Sequence, residues 1–171
     1  MPTYQGHVQR VTDGDTVVVR FDAGGARSVR LYGIDCPETS QPYGPAATRA
    51  AQNLVSGERV DVHVLDEDHY GRLVGRVQTE DCDLGRTLTA QGLAWHDHRH
   101  AGGADLIARR ERDARQHERG LWSQADPVPP WQWRNGSSQR RAKQTLRGLG
   151  WAFLGFVGTI LFFALLVALA A

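Results

Sequence analysis

The chain has 171 residues, enough for one domain with a proper core, and its 20 Lys and Arg nearly balance 19 Asp and Glu. The balance is uneven: beyond position 133 stand five basic residues and no acid, so the first 133 residues carry 15 Lys and Arg against all 19 acids, a net −4. That excludes a broadly basic nucleic-acid-binding surface; contact with nucleic acid must be focused, with a metal offsetting local negative charge.

In chain order, Met1 to His7 lack the charged and apolar blocks of a secretory signal. Val17, Val18, Val19 and Phe21 form a β-branched run after the turn-prone Asp13-Gly14-Asp15. Asp22-Ala23-Gly24-Gly25 is a hairpin signal, and Ser28 to Ile34 is the returning strand. On that strand Val29 and Leu31 share one face and Arg30 and Tyr32 the other, so Arg30 points away from the core if the apolar pair points into it. Pro37 stops the strand. Tyr43 to Ser56 predicts a helix, with Pro45 in its first turn and Gly57 ending it. Val60, Val62 and Val64 alternate with Asp61 and His63 as a half-buried strand. Asp66 to Tyr70 is a polar connection into the strand Arg72 to Val77.

A short helix is predicted over Leu84 to Gln91, closing at Gly92. Asp105 to Glu118 predicts a charged surface helix with a thin apolar face (Leu106, Ile107, Ala114), ended by Gly120-Leu121-Trp122 with Trp122 as a plug. Pro127, Pro129 and Pro130 begin a linker that carries Trp131 and Trp133, both suited to packing or to a membrane interface. From Trp151 to Ala171 run 21 residues without a charge, long enough to cross the ~30 Å hydrocarbon layer as a helix. Arg140, Arg141, Lys143 and Arg147 form a positive flank before it. There is no internal repeat. Strands with interleaved helices suggest a small closed Greek-key barrel of about five strands.

Five side chains stand out for their chemistry: Asp15, Arg30, Asp35, Glu38 and Arg72. Carboxylates suit a hard divalent cation, and paired arginines suit a phosphate, which is what a phosphodiester-cleaving site needs. Asp-Gly-Asp-Thr alone is a weak signal, because Asp and Gly turn well. Combined with Asp35-Cys36-Pro37-Glu38 and an arginine five residues before Asp35, it gains weight. The segments Asp13 to Thr16, Arg30 to Glu38, Tyr43 to Pro45, Asp68 to Arg72 and Gln91 to Ala94 stand in an order that resembles the staphylococcal nuclease (thermonuclease) family. Glu118 to Trp122 is similar to that family's closing helix, and the resemblance covers roughly residues 5 to 125.

The resemblance implies Ca²⁺ held by Asp15, Asp35 and the Cys36 backbone carbonyl. It makes Glu38 the general base on an attacking water, and gives Arg30 and Arg72 the scissile phosphate. Tyr70 is kept as a substrate contact. Where the family carries two nucleotide-contacting tyrosines, this chain has His98 and His100, so base stacking differs here. His96, His98 and His100 alternate, which allows a transition-metal site, though solvated histidines or substitute phosphate contacts fit better. Cys36 reads as a small residue in a tight turn, with a Cys36–Cys82 bridge as the alternative; two thiols are no disulfide framework.

The expected fold is α+β, mainly β: a five-stranded OB-fold Greek-key barrel with about three helices, plus one C-terminal transmembrane helix. The expected organisation is a nuclease-like domain over 1–125, a Pro/Trp and basic linker over 126–148, and the membrane span over 149–171. The expected activity is Ca²⁺-dependent hydrolysis of DNA and/or RNA. The alternative is a non-catalytic nucleic-acid-binding or membrane scaffold module. Positive-inside reasoning puts the globular domain of this single-pass protein on the cytoplasmic side of the cell membrane, with lipid as a partner of the last helix.

Overall fold

The computed structural model describes residues 1–99 and 105–136. The chain divides into two units, Met1–Pro130 and Trp131–Ala171, and the barrel and helices α1 to α3 below belong to the first. The expected membrane span over 149–171, its basic flank and His100 lie outside the described residues. Among the described residues no helix is long and apolar enough to cross a membrane.

Five strands close into a barrel in the order β1-β2-β3-β6-β5: β1 (Thr3–Val11), β2 (Thr16–Phe21), β3 (Ala26–Leu31), β5 (Arg59–Glu67) and β6 (Leu73–Gln78). All neighbours are antiparallel except β3 and β6, which run parallel with Val29 beside Leu73 and Arg30 beside Val74. Closure leaves the barrel itself without a free edge. The five-stranded barrel of the sequence reading is therefore present, and in the first unit the described residues add α1 (Gly44–Val55), α2 (Leu84–Ala90) and α3 (Asp105–Gln116). A 3₁₀ turn over Gly120–Ser123 follows α3, and residues 130–136, in the stretch read as linker, are helical.

The interior is built from β-branched residues at alternate positions. Val17, Val19, Val29, Val60, Val62 and Val77 are buried, as are Leu84 and Leu88 of α2 and Ala47, Ala51 and Val55 of α1. Each fully buried Val or Leu is worth roughly 1.5–3 kcal/mol. Arg30 and Tyr32 keep partial exposure while Val29 and Leu31 are buried, as the alternation requires.

The returning strand is shorter than expected. β3 stops at Leu31, Gly33 turns at φ 78°, and Ile34–Asp35 form a separate strand, β4. β4 pairs with β7 (Trp95–His96), Ile34 opposite His96 and Asp35 opposite Trp95. This break lets Asp35 leave the barrel wall. It also carries the segment after α2 to the loop that bears the acidic residues.

Two of the sequence motifs pack on each other. The Gly92 carbonyl, in Gln91-Gly92-Leu93-Ala94, accepts from Leu121 N–H at 2.8 Å. Trp95 meets Trp122 edge-on at 4.4 Å between ring centroids, and the Arg115 guanidinium lies 3.7 Å from the Trp122 ring centre. Trp122 is thus the plug expected of it, and it fixes the strand beside Asp35.

Candidate functional site

Asp15 sits in the turn between β1 and β2. Its N–H donates to Asp13 Oδ1 (3.1 Å), and its carbonyl accepts from Leu31 N–H (2.8 Å), tying the turn to the end of β3. A Cβ at Gly14 would overlap the Cys36 side chain and Ala47, so glycine lets this turn press on the β4 loop. The result is a buried carboxylate: Asp15 Oδ1 accepts from Thr16 Oγ1 (3.0 Å) and Oδ2 from Cys36 N–H (3.1 Å).

Arg30 binds both aspartates. Its Nη1 donates to Asp15 Oδ1 at 2.8 Å and its Nη2 to Asp35 Oδ1 at 3.3 Å. The two carboxylates have side-chain exposures of only 6% and 1%, against 22% for the arginine. Two anions from different turns are therefore gathered on one guanidinium. Burial pushes the Asp15 carboxyl up to about 6, an effect that Arg30 opposes and the Asp13 and Asp35 charges reinforce.

Glu38 follows at the half-buried end of the same loop, and Gln41 holds its backbone. Gln41 N–H donates to the Glu38 carbonyl (2.8 Å), and its Oε1 accepts from Glu38 N–H (3.2 Å). Helix α1 starts hard against this loop: Tyr43 takes φ 67°, and a Cβ at Gly44 would overlap the Glu38 carbonyl. The Tyr43-Gly44-Pro45 motif thus positions Glu38.

Arg72 lies just before β6, two residues ahead of the Val74 that pairs with Arg30. At about 4.8 Å between strands and ~3.3 Å per residue, the two Cα atoms are roughly 8 Å apart. Asp68 organises this loop. Its Oδ1 accepts from Tyr70 N–H (2.9 Å) and Arg72 N–H (3.0 Å), and its Oδ2 from Arg72 Nε (2.7 Å). Arg27 on β3 clamps the loop from the other side, through Glu67 (2.7 Å) and the Gly71 carbonyl (3.0 Å). Tyr70 is 75% exposed, with the Arg72 guanidinium 5.5 Å from its ring centre.

Partial burial raises the Asp68 carboxyl, but the hydrogen bonds from Arg72 and Tyr70 outweigh it and hold the group below its ordinary 3.8. A depressed acid contributes stability above its unfolded value and loses it as pH falls through the folded one. Asp68→Asn is therefore expected to be less stable than the unmodified chain at pH 7, with the gap closing below about pH 4. Urea unfolding at pH 7 and pH 3 checks this; an equal deficit at both contradicts it.

Sequence reasoning missed Arg99. Its Nε and Nη2 grip Asp97 Oδ1 and Oδ2 (2.9 and 3.1 Å), and Nη2 also reaches Asp35 Oδ2 at 3.3 Å. Asp97 is 2% exposed, and its N–H donates to the Gly33 carbonyl (2.9 Å). The alternating histidines drew attention in this stretch, yet the arginine between them touches the site. His98 is exposed, its ring 6.4 Å from that of His96. Among the described residues, no group of three or more His, Cys, Asp or Glu is placed to hold a metal, and His100 of the histidine row lies outside them. Cys36 and Cys82 are free thiols; burial, then the neighbouring aspartates, pushes the Cys36 thiol well above its ordinary range, which leaves it inert.

The donor set at Asp15 and Asp35 suits a hard cation. Two buried carboxylates, one of them resisting ionisation chiefly through burial and then through neighbouring acids, gain most from a divalent charge placed between them. Two carboxylates and a carbonyl fall short of the six to eight oxygens Ca²⁺ takes, so water must supply the rest.

Residues 28–124 match the family model described as "Staphylococcal nuclease homologue", more than half of the chain. This chain belongs to the staphylococcal nuclease family. A protein named "Uncharacterized endonuclease" from Escherichia coli is 40% identical over 131 residues, covering 76% of this chain and 84% of its own length. "Protein ParB" from Escherichia coli is 37% identical over 147 residues, 80% of this chain and 82% of that one. "Staphylococcal-like nuclease CAN1" of Arabidopsis thaliana is 40% identical over 106 residues, which is 62% of this chain but 32% of the plant protein. The expectation of a nuclease-family barrel from the sequence motifs is met.

Proposed function

We propose that the chain is a metal-dependent nuclease that hydrolyses phosphodiester bonds of DNA and/or RNA. The observation that carries this reading is the gathering of Asp15 and Asp35, from separate turns, on the single guanidinium of Arg30. Asp15, Asp35 and the Cys36 carbonyl would hold Ca²⁺, which when bound neutralises the carboxylates and stabilises charge on the phosphoryl oxygens. Arg30, on β3, and Arg72, just before β6, bind non-bridging oxygens of the scissile phosphate. Their charge is fixed before the reaction, so little reorganisation is needed as negative charge builds up. Glu38 takes the proton of the attacking water. Tyr70 offers an exposed ring beside Arg72 on which a base can stack, and His98 and His100 are the remaining candidates for substrate contacts.

Nicking of supercoiled plasmid by the purified chain, with Ca²⁺ or with EDTA, tests this. Turnover with Ca²⁺ that EDTA abolishes is expected. Nucleic-acid binding without cleavage in either condition would replace the enzyme with the binding module. We also propose that 149–171 anchors the protein in the membrane with the nuclease domain on the cytoplasmic side, supported by the uncharged run and its basic flank. Extraction of the chain from membranes by alkaline carbonate would remove the anchor; digestion of the domain in sealed right-side-out vesicles would reverse the side.

A further inference from the structure

We propose that Arg99 is a third phosphate-binding guanidinium of this site, one that grips the sugar-phosphate backbone of the bound strand and is aimed by Asp97. The inference rests on the nuclease reading and adds a substrate contact to it. Arg99 is held along one edge of its fork, Nε and Nη2 against the two oxygens of Asp97. Asp97 cannot turn away: it is buried, and its backbone is bonded to the Gly33 carbonyl. The guanidinium is thus fixed without being sealed off, since 35% of the Arg99 side chain is exposed. A fork whose rotamer is already fixed loses little entropy when it meets an anion.

Its position says which anion. Arg99 and Arg30 flank the same carboxylate, on Asp35 Oδ2 and Oδ1, each at 3.3 Å. A ligand bound at Arg30 therefore has Arg99 on the other side of the same carboxylate. Arg99 thus reaches past Asp97 to the residue assigned to the cation.

The test is binding of a fluorescent single-stranded oligonucleotide to the full chain in EDTA, where no turnover interferes, over a range of salt. Each phosphate contact contributes a slope of about 0.7 in log K against log salt for single strands. Arg99→Gln is expected to make the slope shallower by about 0.7 and to weaken binding several-fold at low salt, while Arg99→Lys keeps the slope. An arginine that merely braces Asp35 would change affinity without changing the slope, and that result overturns the proposal. Should Arg99→Gln not fold, the unmodified chain serves: phenylglyoxal labelling of Arg99 read by mass spectrometry should fall when the oligonucleotide is bound, with exposed Arg20 as the internal reference. Unchanged labelling of Arg99 likewise overturns it. The unmodified chain's own behaviour separates the two claims: failure to bind or cleave sinks the nuclease reading as well, whereas normal cleavage with a Gln variant of unchanged slope removes Arg99 alone.

Discussion

Glu38→Gln is expected to lower kcat for plasmid cleavage by about a thousandfold, in the middle of the range ascribed to a positioned general base. In barrier terms that is about 4 kcal/mol. The amide keeps the size and the hydrogen-bonding reach of the side chain but cannot accept the proton from water. The loop should survive the change because its geometry is set by backbone contacts. Gln41 bonds the Glu38 N–H and carbonyl, and Gly44 packs against that carbonyl. KM is therefore expected to stay within a few-fold of the unmodified value, as is the melting temperature within a few degrees. Cleavage by Glu38→Gln within tenfold of the unmodified rate would remove Glu38 from the mechanism.

Arg30→Ala should cost both activity and stability, and the stability loss should depend on calcium. The guanidinium is the shared partner of two carboxylates that are almost fully buried. Removing one side of a buried pair leaves uncompensated charge and costs about 3–5 kcal/mol. Here Asp35 keeps Arg99, and Asp15 keeps the Thr16 hydroxyl and the Cys36 N–H, so the lower end is expected, about 3 kcal/mol in EDTA at pH 7. A cation bound between the carboxylates replaces the lost charge, so millimolar Ca²⁺ should recover a large part of the deficit by binding only the folded state. Arg30→Lys is not a full rescue, since one ammonium cannot reproduce a fork that spans two acids. Denaturant titrations with EDTA and with Ca²⁺ read both quantities. A deficit that Ca²⁺ does not change would separate Arg30 from any cation site.

Much of the barrel was legible because its inward residues alternate: Val17 with Val19, Val29 with Leu31, Val60 with Val62. β1 was not legible. Its buried residues include Val8 and Val11, three apart, because the pairing with β2 shifts register between Val8 and Arg10 and breaks the period of two. β4 and β7 have two residues each, too few for any periodicity, and their pairing joins positions some sixty apart in sequence. That pairing is what delivers Arg99 to Asp35. Asp15, Arg30, Asp35 and Cys36 were readable from their motifs, and the structure brings them into contact. Asp68 stood at the head of a motif, but Gln41, Arg27 and Asp97 had no comparable signal, since nothing in a polar side chain announces which distant backbone or charge it will hold.

Isothermal titration of the full chain with Ca²⁺, beside Asp35→Asn, addresses the core of this account. One site per chain in the unmodified protein, lost or weakened at least tenfold in the variant, is the predicted result. Calcium binding that Asp35→Asn leaves intact, or no binding under conditions where the chain cleaves nucleic acid, contradicts it.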